Sequence, residues 1–200
     1  MYISEQYLLE GYLLSDETIS VNLDKFENGE INKLLIIGNC GSGKTTLAEH
    51  LAKQYKAKWN SIDSMYWRLE QKHFKGVKIN PEIKEKIKKL VEQYTINLIK
   101  SNERWIIEGA DLLHFYINFP KYRKLIINQS MIILGTSALI SGIKAGIRNH
   151  SREGGEESWS EIYWMSKINI KTIEPMLKQF KNDVKKIPNA VIEPYKIPKL

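Results

Sequence analysis

Residues Lys33 to Leu51 read KLLIIGNCGSGKTTLAEHL, and the rest of the chain is organised around them. Gly38, Asn39, Cys40, Gly41, Ser42, Gly43, Lys44 and Thr45 complete the pattern G-x-x-x-x-G-K-[ST]. The apolar run Leu34, Leu35, Ile36, Ile37 precedes it, and Leu47, Ala48, Leu51, Ala52 and Tyr55 follow at helical spacing. The pattern therefore falls in a strand, loop and helix setting. Glycines let the loop curl until successive N–H groups converge on one anion, and the helix start adds its partial positive charge at the same point. This predicts that Gly38 to Thr46 cradle the phosphates of a nucleoside triphosphate, with Lys44 at the outer phosphates and the Thr45 hydroxyl on Mg²⁺. A bare Gly-rich turn is the competing reading, but a full match with both flanks in place is much rarer than the glycines alone.

Downstream, Lys58 to Asp63 reads as a second strand closed by a carboxylate, followed by Ser64-Met65-Tyr66-Trp67-Arg68 and a basic, loop-like segment to Gly76. Asn80-Pro81 starts a helix, with Asn as N-cap and Pro in the first turn. Ile83, Ile87, Leu90, Val91, Tyr94 and Leu98 give that helix one apolar face. Arg104 to Gly109 reads as a third buried strand, ending at Glu108. A carboxylate at that strand end meets the requirement for a second Mg²⁺ ligand, usually through water; a Glu capping the next loop is the alternative. Residues 111–129 are aromatic and basic, and their organisation is not legible in the sequence.

Met131 to Leu134 is expected as the fourth strand, with a small-residue helix from about Ser137 to Arg148. The segment Arg148-Asn149-His150-Ser151-Arg152-Glu153-Gly154-Gly155 suits a lid over phosphates, with Arg148 and Arg152 as its cations. Ser158-Trp159-Ser160-Glu161 forms a capping box for another helix. Pro175 should kink or split that helix, and Ala190 to Ile192 is the expected fifth strand. Strands alternating with helices give an α/β fold, a parallel sheet of about five strands covered on both faces. In such sheets ligands gather beyond the carboxyl ends of the strands, where the phosphate loop, Asp63 and Glu108 all fall.

Residues 1–32 read as an acidic N-terminal extension with net charge −6, which leaves +13 on residues 33–200 out of +7 overall. Within it Ile19, Val21 and Leu23 alternate like a strand, and Asn28-Gly29 could turn that strand into a hairpin with the start of the phosphate-loop strand. A structural appendage covering a sheet edge or mediating dimerisation is the simpler role, so monomer and homodimer both stay open. The composition, 42% hydrophobic and 26% charged, is that of an ordinary globular protein. Cys40 is the single cysteine, which excludes an internal disulfide or a Cys-based metal site. The run from Ser130 to Ile147 falls short of a bilayer span, and Glu5 and Glu10 stand where a signal peptide would be basic. No membrane association and a cytoplasmic location are expected.

With the phosphate loop, Ile62-Asp63-Ser64-Met65-Tyr66-Trp67-Arg68 and Arg104-Trp105-Ile106-Ile107-Glu108-Gly109 in place, residues 33 to 152 resemble the adenylate-kinase-related P-loop proteins known as DNA topology modulation proteins. Membership of the nucleoside and nucleotide kinase group would imply strand order 2-3-1-4-5, a Mg-ATP donor, an acceptor site near the strand-two acid, and lid arginines. On that resemblance Asp63 takes the acceptor-side role, Glu108 the strand-three acid, and Arg148 and Arg152 the lid. Ala110-Asp111 replaces the usual Asn-Tyr, about twenty residues intrude before strand four, and Gly135-Thr136 stands in place of Pro-Arg. All these departures fall on the acceptor side.

The function expected is transfer of the γ-phosphoryl group of Mg-ATP to a nucleoside monophosphate, a nucleoside or another small hydroxyl compound. Lys44, Asp63, Arg148 and Arg152 would be catalytic; Asp63, Arg68 and Trp67 would meet the acceptor; Thr45 and Glu108 would hold the metal. An exposed loop arginine is the plainer reading of Arg68, whereas stacking on a base and core packing account for Tyr66 and Trp67 equally well. A nucleic-acid-associated ATPase is the rival, drawing on the basic body and on residues 111–129. No N-K-x-D base-reading motif follows the fourth strand, which argues against a GTPase.

Overall fold

The computed structural model describes residues 17–75, 80–153 and 159–198, with the side chains of 148–153 and 159–161 left aside. Its elements in chain order are β1 (Ile19–Val21), α1 (Leu23–Glu27), β2 (Lys33–Ile37), α2 (Lys44–Gln54), β3 (Lys58–Ser61), α3 (Ile62–Phe74) and α4 (Pro81–Lys100). They continue as β4 (Trp105–Glu108), α5 (Asp111–Asn118), α6 (Pro120–Ile127), β5 (Ser130–Ile133), α7 (Ala138–Glu153) and α8 (Trp159–Ile168). A π-helical turn (Asn169–Ile173), α9 (Glu174–Val184) and β6 (Ile192–Pro194) follow.

One six-stranded sheet runs β3-β4-β2-β5-β1-β6. β2 is central and fully buried, parallel to β4 on one side and β5 on the other, with Ile36 opposite both Glu108 and Ile132. Its side chains alternate between two cores. Leu34 and Ile36 pack with Leu47, Ala48, Leu51 and Phe26 from α2 and α1. Leu35 and Ile37 face the larger core built by α3, α4, α5 and α9. The β strands thus read as apolar throughout because both faces are covered.

The N-terminal strand departs from expectation. Ile19 to Val21 does not pair with the phosphate-loop strand; it lies antiparallel between β5 and β6, with Ile19 opposite Ile133 and Pro194. The expected order 2-3-1-4-5 holds through its fourth member, and the extra strand then separates the fourth from the last. Residues 17–32 are therefore part of the sheet and its core: Val21 and Phe26 are fully buried. Their seams are sealed locally. The Ser130 hydroxyl donates to the Asn22 carbonyl (2.6 Å), and the Gly135 N–H donates to Thr18 Oγ1 (2.9 Å). Asn28-Gly29 does turn the chain, with Gly29 at φ 86°, but it closes α1 rather than a hairpin.

Two other expectations change, and a segment the sequence left open takes form. The segment after Asp63 is helical, not a loop: Ser61 caps α3 by accepting from the Ser64 N–H (3.3 Å), and Ile62, Met65 and Leu69 bury one face. Residues 111–127 form two short helices broken at Phe119-Pro120, with Leu112, Leu113, Phe115 and Tyr116 in the core. The helix after β5 runs on to Glu153, through the segment expected to leave it as a lid; Gly154 and Gly155 lie outside the described residues. Asn80 caps α4 as expected, accepting from the Ile83 N–H (2.9 Å). Among the described residues no helix is long and apolar enough to cross a membrane.

Candidate active site

Strand β2 ends at Ile37, and the chain then folds into the loop before α2. Gly43 is the left-handed N-cap of that helix at φ 90°, and Gly41 sits at φ 80°. A Cβ on Gly41 would lie 2.1 Å from the Ser141 carbonyl oxygen of α7, so helix and loop touch only because that residue is glycine. The N–H groups opening α2 have no intrahelical partners, which leaves them for an anion. Lys44 is buried, and its ammonium donates to the carbonyls of Asn39 (2.7 Å) and Gly38 (3.2 Å).

The loop is clasped from outside by residues that sequence reading did not single out. Asn169, fully buried at the start of the π-helical turn, accepts from the Cys40 N–H (3.1 Å) and donates back to the Cys40 carbonyl (3.0 Å) and to the Ala138 carbonyl (3.1 Å). Asn39 donates to Glu174 Oε2 (3.1 Å) and to the Thr136 carbonyl (3.2 Å). Cys40, expected among the phosphate-facing amides, thus spends its N–H on this clasp, and Ser42 spends its own on the Asn39 carbonyl (3.2 Å). Pro175 gives the local signal: it lacks an N–H in the first turn of α9, and the turn before it widens to π geometry. Asn169→Ala should remove the carboxamide bonded to the Cys40 N–H and carbonyl and to the Ala138 carbonyl, at about 1–3 kcal/mol. We expect the melting temperature to drop by roughly 2–10 °C; an unchanged melting curve would show that the clasp contributes nothing.

Beyond the loop, three strand ends deliver side chains to one place. A cavity of about 600 Å³ is lined by Gly41, Gly43, Lys44, Thr45 and Thr46 of the loop, by Ser61, Asp63 and Ser64, and by Glu108 and Met165. The Thr45 hydroxyl donates to Glu108 Oε1 (2.9 Å). Glu108 is fully buried and its Oε2 has no hydrogen-bond partner among the described residues; burial holds its pKa above the usual carboxylate range, against Ser61 and Lys44, which act to lower it. A buried carboxylate with an orphaned oxygen, already bonded to a hydroxyl, fits a hard divalent cation. Thr45 and Glu108 are the residues that would hold it.

Asp63 occupies the first turn of α3 and is exposed to this cavity. Trp67 and Arg68, on the outward face of the same helix, line a neighbouring cavity. Arg68 is not a loop arginine, and Trp67, 65% exposed, is not core. Arg148 and Arg152 lie in the last turns of α7; Arg148 comes one turn after Ala145, whose backbone abuts Gly41. Their side chains are outside the described set.

Asp111, in the first turn of α5, is a further acid near this site. Burial, with the Asp63 charge second, pushes its pKa up to about 6 against the opposing pull of Lys88 and Lys44. The folded state holds this proton more tightly than the unfolded chain, so stability falls as pH rises from the ordinary Asp value to about 6, and the cost is complete above that. Asp111→Asn should raise the melting temperature at about pH 8 and hardly at all at about pH 4. Equal gains at both would contradict the burial argument.

No family model matches the sequence, and comparison with curated proteins finds no match. Solved structures do share the fold. Shikimate kinase from Acinetobacter baumannii, in complex with shikimate, aligns at TM-score 0.50 and 17% identity over 78% of this chain and 82% of that one. Shikimate kinase from Bacteroides thetaiotaomicron aligns at TM-score 0.50 and 17% identity over 74% of this chain and 82% of that one. The class that fold and loop define is an α/β protein whose mostly parallel sheet has helices on both faces and a glycine-rich loop after its central strand, the fold it shares with these two structures.

Proposed function

We propose that the protein is a phosphotransferase that moves the γ-phosphoryl group of Mg-ATP to a hydroxyl of a small acceptor. The observation that carries this reading is the convergence of the loop lysine, the Thr45–Glu108 pair and Asp63 on one cavity at the carboxyl ends of β2, β3 and β4. A nucleotide-binding module alone would have no use for Asp63. The finer resemblance, to the DNA topology modulation proteins, rests on the motif residues around Asp63 and Glu108.

In this reading the opening amides of α2 and the Lys44 charge bind the triphosphate tail and offset charge on the transferred group. A magnesium ion held by Thr45 and Glu108 would supply further charge neutralisation at the phosphates. The acceptor oxygen forms a bond to the γ-phosphorus, and the bond from that phosphorus to the bridging oxygen breaks with its electron pair leaving on ADP. The hydroxyl proton passes to the Asp63 carboxylate. Arg148 and Arg152, at the end of the helix that abuts the loop, are the lid cations of this proposal.

The rival, a nucleic-acid-stimulated ATPase, loses one of its two supports. Phe115 and Tyr116 are buried, Arg123 donates to the carbonyls of Tyr116 (3.1 Å) and Ile117 (3.0 Å), and Lys121 pairs with Glu92 (3.6 Å). The buried rings of this stretch thus belong to the core and Arg123 caps α5, while Lys121, Arg123 and Lys124 stay exposed. The test is a transfer assay with Mg-ATP against nucleosides, nucleoside monophosphates and non-aromatic hydroxyl metabolites. Rapid transfer to one class with slow hydrolysis alone is expected; hydrolysis stimulated only by polynucleotide would favour the rival.

A further inference from the structure

The phosphate cavity shares Ser61, Asp63 and Ser64 with a second cavity of about 610 Å³, completed by Trp59, Asn60, Trp67 and Arg68. Its volume is that of a small-molecule site. Trp67 is the feature that demands a reason. Helix α3 already buries Ile62, Met65 and Leu69 on its inner face, so the helix does not need a tryptophan on its outer one. An indole left 65% exposed beside a cavity offers apolar ring surface to whatever enters it.

The remaining lining is polar and fixed. Arg68 Nη2 donates to Asn60 Oδ1 (2.7 Å) and its Nε to the Ser64 carbonyl (3.4 Å), which holds the guanidinium plane along the wall with donors to spare. Asn60, 7% exposed, keeps an amide nitrogen without a partner among the described residues. The charged groups of the lining, Asp63 and Arg68, cancel, so the cavity suits a neutral ring bearing hydrogen-bonding edges better than an anion. Asp63 stands at the junction of the two cavities, where a hydroxyl on that ring's sugar would meet the transferred phosphoryl group.

We propose that this second cavity seats the base of a nucleobase-bearing hydroxyl acceptor, with Trp67 as the stacking face and Arg68 and Asn60 at the polar edge. This rests on the phosphotransferase reading and narrows its acceptor. A free nucleoside and the end of an oligonucleotide present the same base and hydroxyl, so both are tested. The full chain is assayed for transfer from Mg-ATP to four nucleosides, to oligonucleotides with a free 5′ hydroxyl, and to shikimate, gluconate and glycerol as ring-free or non-aromatic hydroxyl controls.

Transfer to a nucleoside or to a strand end, whichever of the two, is the expected result. Trp67→Ala should then raise the acceptor KM by on the order of ten-fold or more, with the Mg-ATP KM unchanged. Trp67→Phe, which restores a ring, should recover most of that loss. Because Trp67 is exposed, both variants should fold. Transfer confined to the non-aromatic acceptors, or an acceptor KM indifferent to Trp67→Ala, overturns the base site while leaving the phosphotransferase standing. Absence of transfer to every acceptor overturns both, and Mg-ATP binding measured separately shows whether the phosphate loop itself has failed.

Discussion

Lys44→Ala is expected to lower phosphoryl transfer by about 10³-fold or more, the scale seen when a positioned charge or donor is taken from a transition state. The reason lies in the loop. Lys44 is the one ammonium among the described residues that lines the phosphate cavity, buried and held by the Gly38 and Asn39 carbonyls, so its position is set before any phosphate arrives. Two of its three N–H groups are committed to those carbonyls, which leaves the third, and the charge, for the nucleotide. Affinity for Mg-ATP should fall as well. The check is single-turnover transfer together with nucleotide binding, and a variant that keeps transfer within ten-fold of the parent would remove Lys44 from the mechanism.

The second large effect is at Asp63. If this carboxylate takes the acceptor proton, Asp63→Asn should reduce kcat by roughly 10²–10⁴-fold while nucleotide binding is retained. The substitution keeps the shape of an exposed side chain in the first turn of α3, so the fold should persist. The contrast with Lys44 is informative. Loss at Lys44 should appear in both nucleotide binding and transfer, whereas loss at Asp63 should appear in transfer alone. A variant at Asp63 with full activity would mean that the acceptor brings an already ionised oxygen, as a phosphate does, and needs no base.

The parts of this site that could be read directly from sequence are those written in local chemistry. The loop, its strand and its helix are signalled within twenty residues by glycines, a lysine and two periodicities. Asn80-Pro81 marks a helix start by capping alone. Glu108 is legible because an acid closes a buried strand at the right distance downstream of the phosphate loop, and the structure gives it Thr45. What was not legible depends on contacts distant in sequence. The place of Ile19 to Val21 between β5 and β6 is set by pairing with residues more than a hundred positions away. Asn169 belongs to no motif, yet its carboxamide bonds the Cys40 N–H and carbonyl from 129 residues downstream.

Helix α3 illustrates a different failure. Ile62, Met65 and Leu69 have helical spacing, but the lysines, arginine and histidine around them suggested a solvated loop; the tertiary core decided the matter. Residues 111–127 show the same limit, since Phe119-Pro120 divides two helices too short for their periodicity to stand out. The expected lid lost its loop form for the opposite reason: α7 continues through Arg148 and Arg152 with no helix-breaking residue before Gly154.

The central claim is that residues 38–46, with Lys44 at their end, grip the tail of a nucleoside triphosphate. Equilibrium dialysis of the full chain against ATP in the presence of magnesium tests it most directly. The account predicts one nucleotide bound per chain, with binding weakened in the Lys44→Ala variant. A parent protein that retains no ATP, or one that binds it equally well without the Lys44 ammonium, would contradict it.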